Sequence, residues 1–151
     1  MTVSIAEEAW DSADGVQLRD DMRSELAARY NIPDQEVEAP TAEMVNVFLV
    51  ARSPEGVATG CGALRVLDDG TGEVKRMYVT PQARGTGVAI GILRALEGHA
   101  RRLGVATLVL STGTKQPDAI RFYEREGYQH TDGYGPYVGQ PMARCFTLQL
   151  G

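Results

Sequence analysis

The sequence predicts an α/β (α+β) domain built on a mixed, mostly antiparallel sheet flanked by helices. Three observations carry this. Apolar runs at 44–51, 56–67 and 72–79 are separated only by the turn segments "SPEG" and "DDGTG", as in an antiparallel meander. The third run is followed by an amphipathic stretch and then by another apolar run, 105–112. A right-handed strand–helix–strand crossover makes 72–79 and 105–112 parallel neighbours. The full order, β-α-β-β-β-α-β-α-β, does not alternate throughout, which excludes a doubly wound nucleotide fold.

The elements follow in order. A short strand is expected at 2–7, then a helix at 12–30 with an apolar stripe of Leu18, Met22, Leu26 and Tyr30. Ser12 and Asp14 are its candidate N-caps. Residues 31–42, "NIPDQEVEAPTA", read as a polar connection. "MVNVFLVA" (44–51) is almost continuously apolar, which predicts burial on both faces. A helix over 86–103 buries Val88, Ile92, Leu96, Ala100 and Leu103 and turns Arg94, Glu97, Arg101 and Arg102 to water, with Gly104 ending it. A second helix, 117–126, starts at Pro117 and closes at Gly127. The last strand, 143–150, sets Phe146, Leu148 and Leu150 against Arg144, Thr147 and Gln149, and offers an edge for a possible homodimer.

The chain has 151 residues, enough for a single domain spanning 1–151 with a sizeable core. Its net charge of −5 argues against nucleic acid as a partner, which needs a clustered basic face. No apolar run approaches the roughly 18 residues that span a bilayer. The acidic N-terminus "MTVSIAEEAW" shows no secretory signal, so no membrane association and a cytoplasmic location are expected. Cys61 and Cys145 read as small core residues, and the two histidines lack ligand spacing, so no metal is expected.

The chemistry-bearing stretch is "RMYVTPQARGTGVAIG" (76–91), a glycine-rich turn between strand and helix, the usual place for a phosphate. It is not a P-loop, because no Lys-Ser or Lys-Thr follows a glycine pair at the required spacing. It is not the dinucleotide fingerprint either: Gly85-Thr86-Gly87 is followed at the third position by Ile90, and the next strand ends in "LVLST" without an acid.

What remains, Gln82-Ala83-Arg84-Gly85-Thr86-Gly87-Val88-Ala89, resembles motif A of the GNAT acetyltransferase superfamily, with its core Q/R-x-x-G-x-G/A. "ALRVLDDGTGEVKRMYVTP" resembles that family's central hairpin, and "QPDAIRFYEREGY" its motif B. The blocks stand in the family's order over roughly residues 44 to 130. One departure is Gln116, where the family often has Asn.

The resemblance implies a GNAT fold, small and bacterial in type, with strands 72–79 and 105–112 splayed apart. It implies acetyl-CoA as co-substrate and transfer of its acetyl group to a primary amine, by direct attack. Backbone groups near Met77, Tyr78 and Val79 would hold the pantetheine arm and polarise the thioester. Gln82, Arg84, Gly85, Thr86, Gly87, Val88 and Ala89 would hold the pyrophosphate, and Gln116 would touch the cofactor chain. Tyr123 matches the family's general acid, against the alternative of a core aromatic beside Phe122. Glu73 matches a general base, against an exposed strand-edge carboxylate. For a small-molecule acceptor, Tyr134 and Tyr137 in "DGYGPYVGQP" offer aromatic walls, and Arg19 or Arg23 a carboxylate contact. A non-catalytic acyl-CoA-binding or sensing module, or a peptide acetyltransferase, are the rival readings.

Overall fold

The structure, a computed structural model, describes residues 3–30, 40–67 and 70–151. Residues 31–39 of the expected polar connection, Thr2 of the first expected strand, and Asp68 and Asp69 of "DDGTG" lie outside the described residues. The elements are β1 (Ser4–Glu7), α1 (Ala13–Tyr30), β2 (Val47–Arg52), β3 (Ala58–Val66), β4 (Thr71–Val79), α2 (Val88–Arg102), β5 (Thr107–Gly113), α3 (Pro117–Arg125), β6 (Gln129–Thr131) and β7 (Ala143–Gln149). One sheet of seven strands runs β1-β2-β3-β4-β5-β7-β6, antiparallel except at β4–β5.

The continuous apolar run of β2 is buried on both faces, as its composition requires. Val47, Leu49 and Ala51 join the core under α2 and α3; Phe48 and Val50 join a second core under α1 with Leu18, Cys61, Ala63 and Tyr78. A methyl on Gly62 would meet Ile92 Cγ2 at 2.7 Å and Met77 Sδ at 2.8 Å, so the missing side chain is what lets α2 lie directly on β3. Ser12 caps α1: its Oγ accepts the N–H of Gly15 at 3.1 Å. Gly104 and Gly127 end α2 and α3 with positive φ, as expected.

Four expectations are corrected. Strand 143–150 is not an edge, because β7 pairs with β5 on one side and β6 on the other. The edge on that side is β6, three exposed residues whose sequence carries no apolar alternation. Glu97 does not face water but is 3% exposed, and Leu103, the residue after the last turn of α2, is 50% exposed. Arg19 is buried instead of solvated, with its guanidinium 3.6 Å above the Trp10 ring.

Two features of the sheet position the site. β4 and β5 are parallel neighbours only at Thr71–Glu73 against Thr107–Val109, and beyond that they part. Further along β4 a bulge interrupts β3–β4: Cys61 pairs with Tyr78 and Ala63 with Lys75, so Gly62 alone faces Arg76 and Met77. Arg76 takes φ of 57° there, the one positive φ at a described residue other than glycine. The bulge begins three residues beyond the last β4 residue that pairs with β5.

Candidate active site

The parting of β4 and β5 opens a groove of about 730 Å³. α1 contributes Met22, Leu26, Ala27 and Tyr30, so most of its apolar stripe lines the groove and only Leu18 is fully buried. β4 contributes residues 73–77, β5 residues 110–112, α3 Ala119 and Tyr123, and the segment before β7 contributes Tyr134 and Tyr137. From Val74 to Val79, β4 has no β5 partner, so its backbone groups on that side, apart from the Val79 carbonyl taken by Arg84, are open to an extended ligand.

Tyr123 reaches the groove from the face covered by α2 and α3. Its ring is fixed by Phe122, Tyr128 and Phe146, with centroids at 5.1, 5.7 and 5.8 Å. Burial pushes its phenol well above the usual value near 10, so it is protonated throughout the neutral range. Tyr123 is thus a core aromatic that also lines the groove.

Glu73 lines the groove from the opposite face, on the same side of the sheet as Lys75 and Ala63. It is buried and partnered rather than an exposed edge carboxylate. The Tyr134 hydroxyl donates to Oε2 at 2.6 Å, and Lys75 Nζ stands 3.7 Å away. Burial, and then this hydrogen bond, pushes the Tyr134 phenol up, so it remains the donor. Tyr137 packs edge-on to Tyr134 at 5.3 Å, and its hydroxyl accepts a hydrogen bond from Lys75 at 3.4 Å.

At the far end of β4 lies the glycine turn. Gly85 and Gly87 have φ of 78° and 88°, and no atom stands within 4 Å of where a Cβ would be on either. Gly87 caps α2 without a side-chain bond, so the first-turn N–H groups over Val88 and Ala89 point outward. Thr86 Oγ1 donates to the Ala83 carbonyl and holds the turn closed. Arg84 is folded across the end of β4, donating to the Val79 carbonyl at 3.0 Å and to Glu25 at 2.7 Å. Gln82 is exposed beside it.

The structure thus brings Glu73, Met77, Gln116, Tyr123, Tyr134 and Tyr137 to one groove, while Gln82–Ala89 lie past the end of β4 and do not line it. Tyr78 and Val79 do not line the groove; the Tyr78 side chain is buried under α1, and Tyr78 pairs with Cys61 of β3. Gln116 Nε2 donates to the Tyr30 hydroxyl at 3.4 Å, tying the end of α1 to the start of α3. Arg23 does not line the groove; it pairs with Asp20 at 2.6 Å on exposed α1 surface. Sequence reasoning missed Arg65, Lys75 and Tyr30. Lys75 had a signal, since two residues after Glu73 in a strand is the same face. Among the described residues no group of three or more His, Cys, Asp or Glu is placed to hold a metal, and no helix is long and apolar enough to cross a membrane.

The comparisons with known proteins agree with this architecture. The chain is 40% identical over 97 residues to the IAA acetyltransferase of Azospirillum brasilense, a match covering 64% of this chain and 63% of that protein. Matches to its curated relatives from A. brasilense, Schizosaccharomyces pombe and Bacillus subtilis span 62–63% of their lengths. A Klebsiella pneumoniae protein described as an acyl-CoA N-acyltransferase superposes with a TM-score of 0.87 at 32% identity over 99% of each chain. A GNAT acetyltransferase from Elizabethkingia anophelis, solved with acetyl-CoA bound, shares the fold: TM-score 0.72, 17% identity, 97% of each chain. The sequence model of the acetyltransferase (GNAT) family matches residues 7–128, from ahead of α1 to the end of α3 and so through the parted strands and the glycine turn alike; the chain belongs to that family.

Proposed function

We propose that this chain is an acetyl-CoA-dependent N-acetyltransferase acting on the primary amine of a small molecule. The observation that carries this reading is the unpaired edge of β4 ending in a turn of outward-pointing amides. An extended amide-bearing arm fits the first, and a pyrophosphate fits the second. Bound there, acetyl-CoA supplies an activated acetyl thioester. Met77, Tyr78 and Val79 offer the backbone that orients the arm; residues 84–89 offer amides to the phosphates. Arg84 reaches a phosphate by exchanging Glu25 for it, two anions competing for one guanidinium.

Glu73 and Tyr123 approach the groove from opposite faces of the sheet, which suits an acid and a base acting on the two sides of one acyl group. Glu73 takes the proton that the acceptor amine must lose, directly or through a water, while Tyr134 holds the carboxylate in place. Tyr123 gives its proton to the departing sulfur. A thiol has a pKa of roughly 8.5 to 10, close to that of a phenol. The apolar surroundings that raise the phenol also disfavour a bare thiolate, so the transfer does not become uphill inside the groove.

Tyr123→Phe tests the assignment. The variant should keep the rise in melting temperature that CoA gives the wild type and lose at least tenfold in turnover, read by thiol release. Unchanged turnover removes Tyr123 from the role of acid. A CoA-dependent rise with no turnover of any amine by the wild type would favour a binding or sensing module.

A further inference from the structure

The groove's charge is opposite to that of the chain. The protein carries a net −5, yet the groove lining holds Arg65, Lys75 and Arg76 against a single carboxylate, Glu73, among the described residues. A cleft lined by one sign of charge focuses its field on the ligand within. These cations are not placed for the coenzyme phosphates. Lys75 lies four residues before Val79, about 13 Å along the strand, and the glycine turn lies beyond that.

Arg65 is the informative member. It sits directly across from Glu73 in the β3–β4 register, where side chains rise on one face with Cβ atoms about 5 Å apart. Opposite charges in that relation ordinarily pair. Here Glu73 is taken by Tyr134 and Lys75 instead, and Arg65 makes no ion pair or hydrogen bond with a described residue. A guanidinium and a carboxylate therefore stand side by side at one groove, each free of the other. That pattern matches a compact zwitterion, with its amine toward Glu73 and its acid toward the fork of Arg65. Around them the walls are apolar, with Met22, Leu26 and Leu110.

Resting on the acetyltransferase reading above, we propose that the acceptor is an apolar amino acid or a close analogue: a primary amine bearing a carboxylate a few bonds away and an apolar body. Arg65 is the residue that selects it.

The test is a thiol-release assay with acetyl-CoA and three matched pairs: L-leucine and isoamylamine, L-phenylalanine and 2-phenylethylamine, L-methionine and 3-(methylthio)propylamine. Each is run with wild type, Arg65→Gln and Arg65→Lys. At least one acid should exceed its decarboxylated partner at least tenfold in kcat/KM. Arg65→Gln should raise KM for the acid at least tenfold and leave the plain amine unchanged, with Arg65→Lys between. Amino acids and alkylamines differ in amine basicity, but that difference is the same for every variant. The change in the ratio on mutation therefore isolates the guanidinium. Retention of the CoA-dependent rise in melting temperature shows that the variants fold. Equal use of acids and amines, or a ratio that Arg65→Gln does not move, overturns the inference and leaves the acetyltransferase reading intact. Failure of the wild type to acetylate any of the six overturns the inference too. Catalysis is then tested separately by the steady hydrolysis of acetyl-CoA and its loss in Tyr123→Phe.

Discussion

Tyr128→Phe separates the structural tyrosine of this region from the one assigned to chemistry. Tyr128 is 3% exposed, and its hydroxyl donates to Glu97 Oε2 at 2.9 Å. Glu97, equally buried, also receives Arg94 Nη1 at 2.8 and 3.1 Å, and Arg94 reaches on to Glu126 at 2.7 Å. Removing the hydroxyl leaves a buried carboxylate one donor short. A hydrogen bond to a charged group is worth about 1.5–3 kcal/mol, and nothing in the Phe variant replaces it. For a chain of this size each kcal/mol moves the melting temperature by about 2–4 °C, so the expected fall is about 3–12 °C. Urea titration measures the free energy directly, provided the slope is unchanged. Phe keeps the ring that packs on Tyr123 at 5.7 Å, so turnover should fall less than tenfold. A loss below about 0.5 kcal/mol would mean that Arg94 alone satisfies Glu97. A collapse of turnover comparable to that of Tyr123→Phe would refute the assignment itself and make Tyr128 the donor.

Two further outcomes are expected. The phenols of Tyr123, Tyr128 and Tyr134 are all raised, chiefly by burial, so in the folded state they hold their protons above the pH at which the unfolded chain releases them. Stability from them is complete below pH of about 10 and falls as the pH rises past that value, with a limiting slope of about 4 kcal/mol per pH unit for three groups. Cys61, pushed up to about 12 by burial, begins a shallower decline from about pH 9. Urea unfolding between pH 8 and 11 reads both, and Tyr123→Phe should make the steep part shallower. Separately, Gly87→Ala puts a methyl at a left-handed position beside the amides that open α2. It should cost about 1–2 kcal/mol in stability and raise KM for acetyl-CoA severalfold without moving KM for the acceptor. An effect on the acceptor alone would place the phosphates elsewhere.

The parts of the fold legible in the sequence are those where one residue type has one use. The continuous apolar run of β2 could only be a strand buried on both faces, and Gly104 and Gly127 ended their helices. Tyr123, Met77 and Gln116 were singled out by the family resemblance, and the fold places all three in the groove. Illegible were residues whose partner comes from far along the chain. Glu97 lies on the buried face of α2 with Leu93 and Ala100, and its charge suggested solvent; what makes burial tolerable is Tyr128, 31 residues on. Arg19 reads as a solvated helix cation until Trp10 and Phe48 fold against it. The hold of Tyr134 on Glu73 spans 61 residues. β7 looked terminal because three polar residues, Gln129–Thr131, gave no sign of pairing outside it.

The bulge at Gly62 and the loss of pairing after Glu73 have a common consequence for chemistry. A strand paired on both sides has no backbone to offer a ligand. β4 is held by β3 on both sides of the bulge, while its other side is surrendered by β5 after three residues. The ligand-facing backbone is therefore fixed without being satisfied, which is the condition for donors to act on a substrate without reorganising. The bulge adds the second requirement. By letting Arg76 adopt φ of 57°, it shifts the alternation of side chains along β4. Glu73 and Lys75 stay on the α1 face, while Met77 turns to pack with the α2 core. Without that shift Met77 would fall in line with them, and an apolar side chain would project among the groups assigned to the acceptor. The bulge thus keeps the Met77 side chain off the face of β4 that carries Glu73 and Lys75.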